Sequence, residues 1–228
     1  MLNGFTIQNG FATNTFDEGG GLFIYDTSPI ITNNTITNNQ ACSAAGLAID
    51  YGASPLIQGN TITQNNQGGC SGGTWGGGIG IHAGGSPQII GNIITNNSTE
   101  ETGGGIGMFI GGTPTIENNF ISGNSSTDTG GGIGLVNDAV AKIIQNVIVG
   151  NTAPNGGGGV ACEVPNNPSD NCFLINNTIA NNITSSPGSE VLLSGFDHQV
   201  QVVNNIVLAT VPKSRSSATR PTAQPLQR

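Results

Sequence analysis

Apolar residues recur along this chain in runs of three to five that alternate with polar ones, and none of the runs is long enough for a helix. One run is Pro29-Ile30-Ile31-Thr32, with counterparts starting at Pro55, Pro87 and Pro114. A second follows at once as Thr35-Ile36-Thr37 and returns as Thr61-Ile62-Thr63, Ile93-Ile94-Thr95, Phe120-Ile121-Ser122 and Val147-Ile148-Val149. After a polar loop comes Gly77-Gly78-Ile79-Gly80-Ile81, matched at residues 104–108, 131–135 and 158–162. Period-two alternation over so few residues predicts short strands.

Between the first and second runs stands an asparagine: Asn34, Asn60, Asn92, Asn119, Asn146, Asn177 and Asn205, spaced 26 to 32 residues apart. The differences in spacing fall in glycine-, serine- and aspartate-rich stretches between the runs. Such a period is the signature of a repeat architecture. Three short strands per repeat have one stable arrangement, in which each coil stacks on the next through parallel sheets about 4.8 Å apart. The fold class expected is therefore all-β, a parallel β-helix (solenoid) of about eight coils with three short strands per coil, over residues 1–210.

Four inward ladders follow from that stacking. The first runs through Leu2, Ile31, Ile57, Ile89, Ile116, Ile143, Leu174 and Val202, the second through Ile7, Ile36, Ile62, Ile94, Ile121, Ile148, Ile179 and Val207. The third runs from Leu22 and Leu47 to Val160, the fourth from Ile24 and Ile49 to Cys162. The asparagines mark a corner where backbone groups lack strand partners, and an inward amide can satisfy them. A second series, Asn39, Asn65, Asn97, Asn124, Asn151 and Asn182, marks the next corner. Asn124-Ser125-Ser126 matches a glycosylation sequon, but a ladder position indoors cannot carry a glycan. The glycine triplets at 76–78, 103–105 and 130–132 precede a strand, where a corner demands positive φ or close backbone approach.

Composition sharpens this picture. Of 228 residues 37 are glycine and 8% are charged, unlike an ordinary globular domain. All thirteen carboxylates lie before residue 211, with Lys142 the one basic side chain among them, so nucleic acid is not an expected partner. Residues 211–228 hold the other four basic residues without apolar periodicity and read as a disordered basic tail. No apolar stretch is long enough for a transmembrane helix. Leu2, Phe5 and Ile7 fall on the positions of Ile31, Asn34 and Ile36, so the chain is expected to be a piece of a longer protein.

The I-x-x-N-x-I and G-G-G-I-G motifs, over about residues 2 to 208, resemble the right-handed parallel β-helix repeat proteins of the pectin-lyase-like superfamily. The resemblance implies a right-handed coil and a secreted or cell-surface setting. It is nearly silent on activity, because lyases, hydrolases, epimerases and adhesins share the scaffold. Lyases of that superfamily use a basic residue beside clustered aspartates, whereas Lys142 stands alone here, and the N-T-D, G-H-G and R-I-K segments of polygalacturonases do not occur. The function expected is a structural or adhesive extracellular module that binds polysaccharide or cell-surface glycan. The alternative is a polysaccharide-active enzyme (lyase, hydrolase or epimerase) whose catalytic coil lies partly outside this chain.

Candidate chemistry then lies on outward positions. Tyr25, Asp50, His82 and Phe109 follow the fourth ladder and are expected to stack on one exposed face, where aromatics hold sugar rings and the Asp–His pair supplies a base. Glu101 and Asp128 align with Asn155 and Asp17 five residues before the third strand, a row that Ca²⁺ would relieve of repulsion. Cys42 and Cys70 lie in one loop of adjacent coils, and Cys162 and Cys172 bracket an insertion, so two disulfides are expected; Cys162 as a buried small hydrophobe is the other reading. On the second strand, outward Thr35 and Thr61 give way to Ile93, Phe120 and Val147. That apolar stripe, like the coil ends, is a surface for self-association.

Overall fold

The computed structural model describes residues 1–12, 18–68, 75–83, 85–137, 140–164, 170–195 and 199–209, and no helix occurs among them. Short strands stack in parallel sheets, and two sheets of eight strands enclose about seven turns of a right-handed parallel β-helix. The first sheet runs from Leu2–Asn3 through Ile30–Thr32, Leu56–Gln58 and onward to Val200–Val203. The second runs from Thr6–Gln8 through Thr35–Thr37 to Ile206–Leu208, and the third from Leu22–Tyr25 through Leu47–Asp50, Ile79–His82 and Ile106–Phe109 to Val191–Gly195. A fourth ladder of two-residue strands joins Phe11–Ala12, Gln40–Ala41, Asn66–Gln67, Ser98–Thr99 and Ser125–Ser126. This adds a fourth short strand to most coils.

The register is the one the apolar pattern dictates. Ile31 pairs with Ile57, Ile57 with Ile89 and Ile89 with Ile116; on the second sheet Ile36, Ile62, Ile94 and Ile121 pair in turn. Ile79, Ile106 and Ile133 share a row, as do Ile81, Met108 and Leu135, and all of these side chains are fully buried. Burying each is worth about 1.5 to 3 kcal/mol gross, so the core is a continuous aliphatic column along the coil axis.

The ladder asparagines from Asn34 to Asn177 sit indoors, and each works in three directions. Asn119 Nδ2 donates to Asn146 Oδ1 (3.0 Å) in the next coil and to the Ile89 carbonyl (2.8 Å) in the preceding one. Its Oδ1 accepts from the backbone N–H (2.9 Å) and Nδ2 (3.0 Å) of Asn92. The same asparagine-to-asparagine bonds link Asn34 through to Asn205, and in the second series Asn39 through to Asn182. Asn124 is buried in this ladder, as the structural reading of its sequon requires. The residue before each ladder asparagine turns the corner at positive φ, as Asn33, Asn118 and Asn176 (φ 55, 55 and 58) do, a conformation asparagine tolerates better than branched residues.

The second series ends on a different group. In the last coil Glu190 stands where the other coils carry the third glycine of the triplet, and its carboxylate accepts from Asn182 Nδ2 (2.6 Å) and from the Asn182 backbone N–H. The glycines at the equivalent positions are required by the same ladder. A Cβ on Gly105 would lie 2.6 Å from the Gly132 carbonyl oxygen and 3.1 Å from Asn124 Nδ2.

One disulfide is fully described. Cys162, in Val160–Val164 of the third sheet, bonds to Cys172, in Asn171–Ile175 of the first sheet, with Cα atoms 6.3 Å apart and both residues fully buried. It joins the two strands that flank the insertion. Cys42 is disulfide-bonded as well, and its expected partner Cys70 lies outside the described residues. Asp17 and the tail at 211–228 also lie outside them.

Candidate functional site

The third sheet carries the site, and a local backbone feature creates it. In the middle coils the loop entering a strand of this sheet folds back over its outer face, so a side chain added at the central outward position of Ile79–His82, Ile106–Phe109 or Ile133–Val136 has no space. A Cβ on Gly80 would strike Ala44 and the Trp75 carbonyl, one on Gly107 would strike Gly76, and one on Gly134 would strike Thr102 and Gly103. The final glycine of G-G-G-I-G is therefore set by the loop lying across it.

That fold-back brings together two columns of residues that are separate in the sequence. One is the outward column after the fourth ladder, in which Tyr25 pairs with Asp50 and His82 with Phe109. The other lies four residues before each strand and includes Glu18 and Trp75. Glu18, bridged to Ser43 in its own column, reaches His82 Nδ1 at 3.7 Å. Asp50 Oδ1 lies 3.5 Å from the same nitrogen and accepts the Tyr51 backbone N–H at 2.7 Å. Trp75 stacks on Phe109 with ring centroids 3.7 Å apart and planes 3° from parallel, and the His82 ring lies roughly parallel to both at 5.8 to 5.9 Å. On the other side of the carboxylates stand Phe23, Tyr25 and Tyr51, with the two tyrosine rings 4.5 Å apart.

The four residues expected to line the site are thus on one flank, with one correction. Asp50 is only 4% exposed, whereas the alternation placed it on an open face. The covering loop is the reason. Tyr25 and Tyr51, by contrast, are 51% and 58% exposed and offer open aromatic faces. Tyr51 and Ile110 close the strands of Asp50 and Phe109 at φ 52 and 60, and for a β-branched residue such as Ile110 that conformation is strained.

Electrostatics in this pocket are one-sided. Burial pushes the Glu18 carboxyl above its ordinary value, the Asp50 charge adds to the rise, and His82 opposes it. Lys142, the one basic side chain before residue 211, lies on the first sheet between Thr115 and Phe173, away from these carboxylates.

Of the row expected to hold Ca²⁺, Asp128 bonds to its neighbours through its carboxylate and Glu101 through its backbone. Asp128 accepts from Asn155 Nδ2 at 2.8 Å and from Thr102 Oγ1 at 3.4 Å, while the backbone N–H of Glu101 donates to Thr99 Oγ1. Among the described residues the group that gathers three metal-ligating side chains is instead Glu18, Asp50 and His82. The stripe of Ile93, Phe120 and Val147 is on the surface, each residue more than a third exposed.

Fold and flank together define a parallel β-helix with a lateral candidate site across its third sheet. Residues 3–75 match the family model described as a right handed beta helix region, and the pectin-lyase-like resemblance is consistent with that match. No curated protein and no solved structure matches the chain significantly. No helix among the described residues is long and apolar enough to cross a membrane.

Proposed function

We propose that this β-helix is an extracellular or cell-surface module that binds polysaccharide along the flank of its third sheet. The observation that carries the reading is the pair of aromatic platforms, Tyr25 with Tyr51 and Trp75 with Phe109, on either side of a polar centre. Sugar rings present apolar faces that stack on such platforms and hydroxyls that bond to carboxylates between them. The disulfide between Cys162 and Cys172 supports an oxidising compartment. A rigid coil with residues repeated along its axis suits an extended ligand, because each added coil presents the next contact at strand spacing.

Affinity electrophoresis through gels containing plant, algal and bacterial polysaccharides tests this. At least one polymer should retard the parent, and a Tyr25→Ala, Tyr51→Ala double variant should lose that retardation by about tenfold or more, since each stacked ring is worth about 1 kcal/mol. A parent that migrates freely through every gel refutes the reading.

A second reading, a glycoside hydrolase, is favoured by one observation: a carboxyl held above its usual range, Glu18, beside a second carboxylate, Asp50. That combination supplies a general acid and its partner. Release of reducing ends from the retained polymer, abolished in Asp50→Asn, separates hydrolysis from binding.

A further inference from the structure

We infer that Glu18, Asp50 and His82 form a binding site for a divalent first-row transition cation, with Zn²⁺ as its natural probe. One ligand atom from each of the three residues lies within 4.8 Å of the others. His82 Nδ1 is the informative atom. It is buried and makes no hydrogen bond, although two carboxylates stand 3.5 and 3.7 Å away, too far to accept one. A ring nitrogen that only needed a hydrogen-bond partner would sit about 2.8 Å from one of those oxygens.

The separations are those that a shared metal ion imposes. Metal–nitrogen and metal–oxygen bonds of about 2.1 Å in a tetrahedron put neighbouring donors about 3.4 Å apart, close to the two distances seen. Donor chemistry selects among cations. Ca²⁺ and Mg²⁺ take oxygen ligands, whereas an imidazole nitrogen with two carboxylates suits Zn²⁺, Mn²⁺ or Co²⁺.

Preorganisation and charge point the same way. The rings of Trp75 and Phe109 fix the plane of His82, which aims Nδ1 at the carboxylates without a motion on binding. Asp50 is held by the Tyr51 backbone N–H, and burial together with Asp50 disfavours ionised Glu18. Among the described residues no lysine or arginine stands near to offset two converging carboxylates, since Lys142 is on another sheet. A dication supplies that charge. Three protein donors leave one position of a tetrahedral ion unfilled by them.

The site stands independently of the glycan reading, and its test uses metal alone. Chelator-treated protein is titrated calorimetrically with Zn²⁺, and with Co²⁺ by visible absorption, which reports nitrogen and oxygen ligation directly. One equivalent should bind, with the affinity lowered at least tenfold in Glu18→Gln, Asp50→Asn and His82→Phe. The last variant keeps a ring in the stack and removes only the donor, so a loss there is not a loss of fold. The Glu101→Gln, Asp128→Asn double variant should bind as the parent does. Absence of binding by the parent overturns the inference. So does binding that survives His82→Phe, or Ca²⁺ binding as tight as Zn²⁺, which would mark an oxygen-only site.

Discussion

Replacing Asn119 by alanine removes four hydrogen bonds from the middle of the first asparagine ladder, and their loss can be apportioned from the structure. Two of the partners keep another bond, since Asn92 Nδ2 still donates to the Ile57 carbonyl and Asn146 Oδ1 still accepts from the Asn119 backbone, and the third, the Ile89 carbonyl, is an acceptor with a second lone pair. Each of those losses costs about 1 kcal/mol. The backbone N–H of Asn92 has Asn119 Oδ1 as its acceptor and is left buried without it, at about 1 to 3 kcal/mol. The sum is about 4 to 6 kcal/mol, among the largest effects a single substitution gives. Asn205 provides the comparison. It accepts the same two bonds from Asn177 and donates to the Leu174 and Val203 carbonyls, but it is only half-buried and water takes up part of each loss, so Asn205→Ala should cost about 2 kcal/mol. Urea unfolding followed by far-ultraviolet circular dichroism measures both, read as midpoint shifts at unchanged slope. Asn119→Asp should be at least as damaging as alanine, because it turns an acceptor toward Asn146 Oδ1 and the Ile89 carbonyl. Equal costs at Asn119 and Asn205 would refute the claim that the ladder satisfies the corner.

Two further outcomes are expected. Gly105→Ala meets backbone at 2.6 Å and the Asn124 amide at 3.1 Å, so its overpacking should cost about 3 kcal/mol, against about 1 kcal/mol at Gly91, which has φ 63 and open space around it; thermal unfolding that ranks them the other way would contradict the packing argument. Glu18 has a folded pKa raised above 4.5, so chelator-treated protein loses stability as pH rises through that raised value, and Glu18→Gln should not. Melting curves between about pH 4 and pH 7, on a His82→Phe background to silence the imidazole, should show the advantage of Glu18→Gln growing with pH. Asp50 is then the remaining titratable group of the cluster, and a shrinking advantage would reverse the sign of the Glu18 shift.

What the sequence reveals follows from how each feature repeats. Ile31, Ile57 and Ile89 share one phase of the coil, and a column of like residues at one phase is visible in a single chain. The two-residue strands of the fourth ladder, such as Gln40–Ala41 and Asn66–Gln67, are too short and too polar to alternate, so nothing announces them. Glu18 and Trp75 escaped for another reason: aligning repeats compares equal phases, and the fold-back joins two different ones. The signal that was available is the outward glycine at 80, 107 and 134. A bare position on a strand face expected to be open means that something lies across it, and the same covering loop explains why Asp50 is buried. The Glu101 and Asp128 row was a true phase alignment, but neighbouring amide and hydroxyl groups engage Asp128.

The asparagine ladders also have a direction. From Asn39 to Asn151 each Nδ2 donates to the asparagine Oδ1 of the following coil, so the amide dipoles of the second series point one way and polarise one another along the coil axis. The positive end of that row of dipoles meets the Glu190 carboxylate, as an anion meets the N-terminus of a helix. Stacking another coil on that end in the same register would require an amide where the carboxylate stands. A second copy of the chain approaching with the same end would bring carboxylate against carboxylate. The ladder therefore makes the solenoid a polar rod, whose two ends are chemically distinct even though its coils are nearly alike.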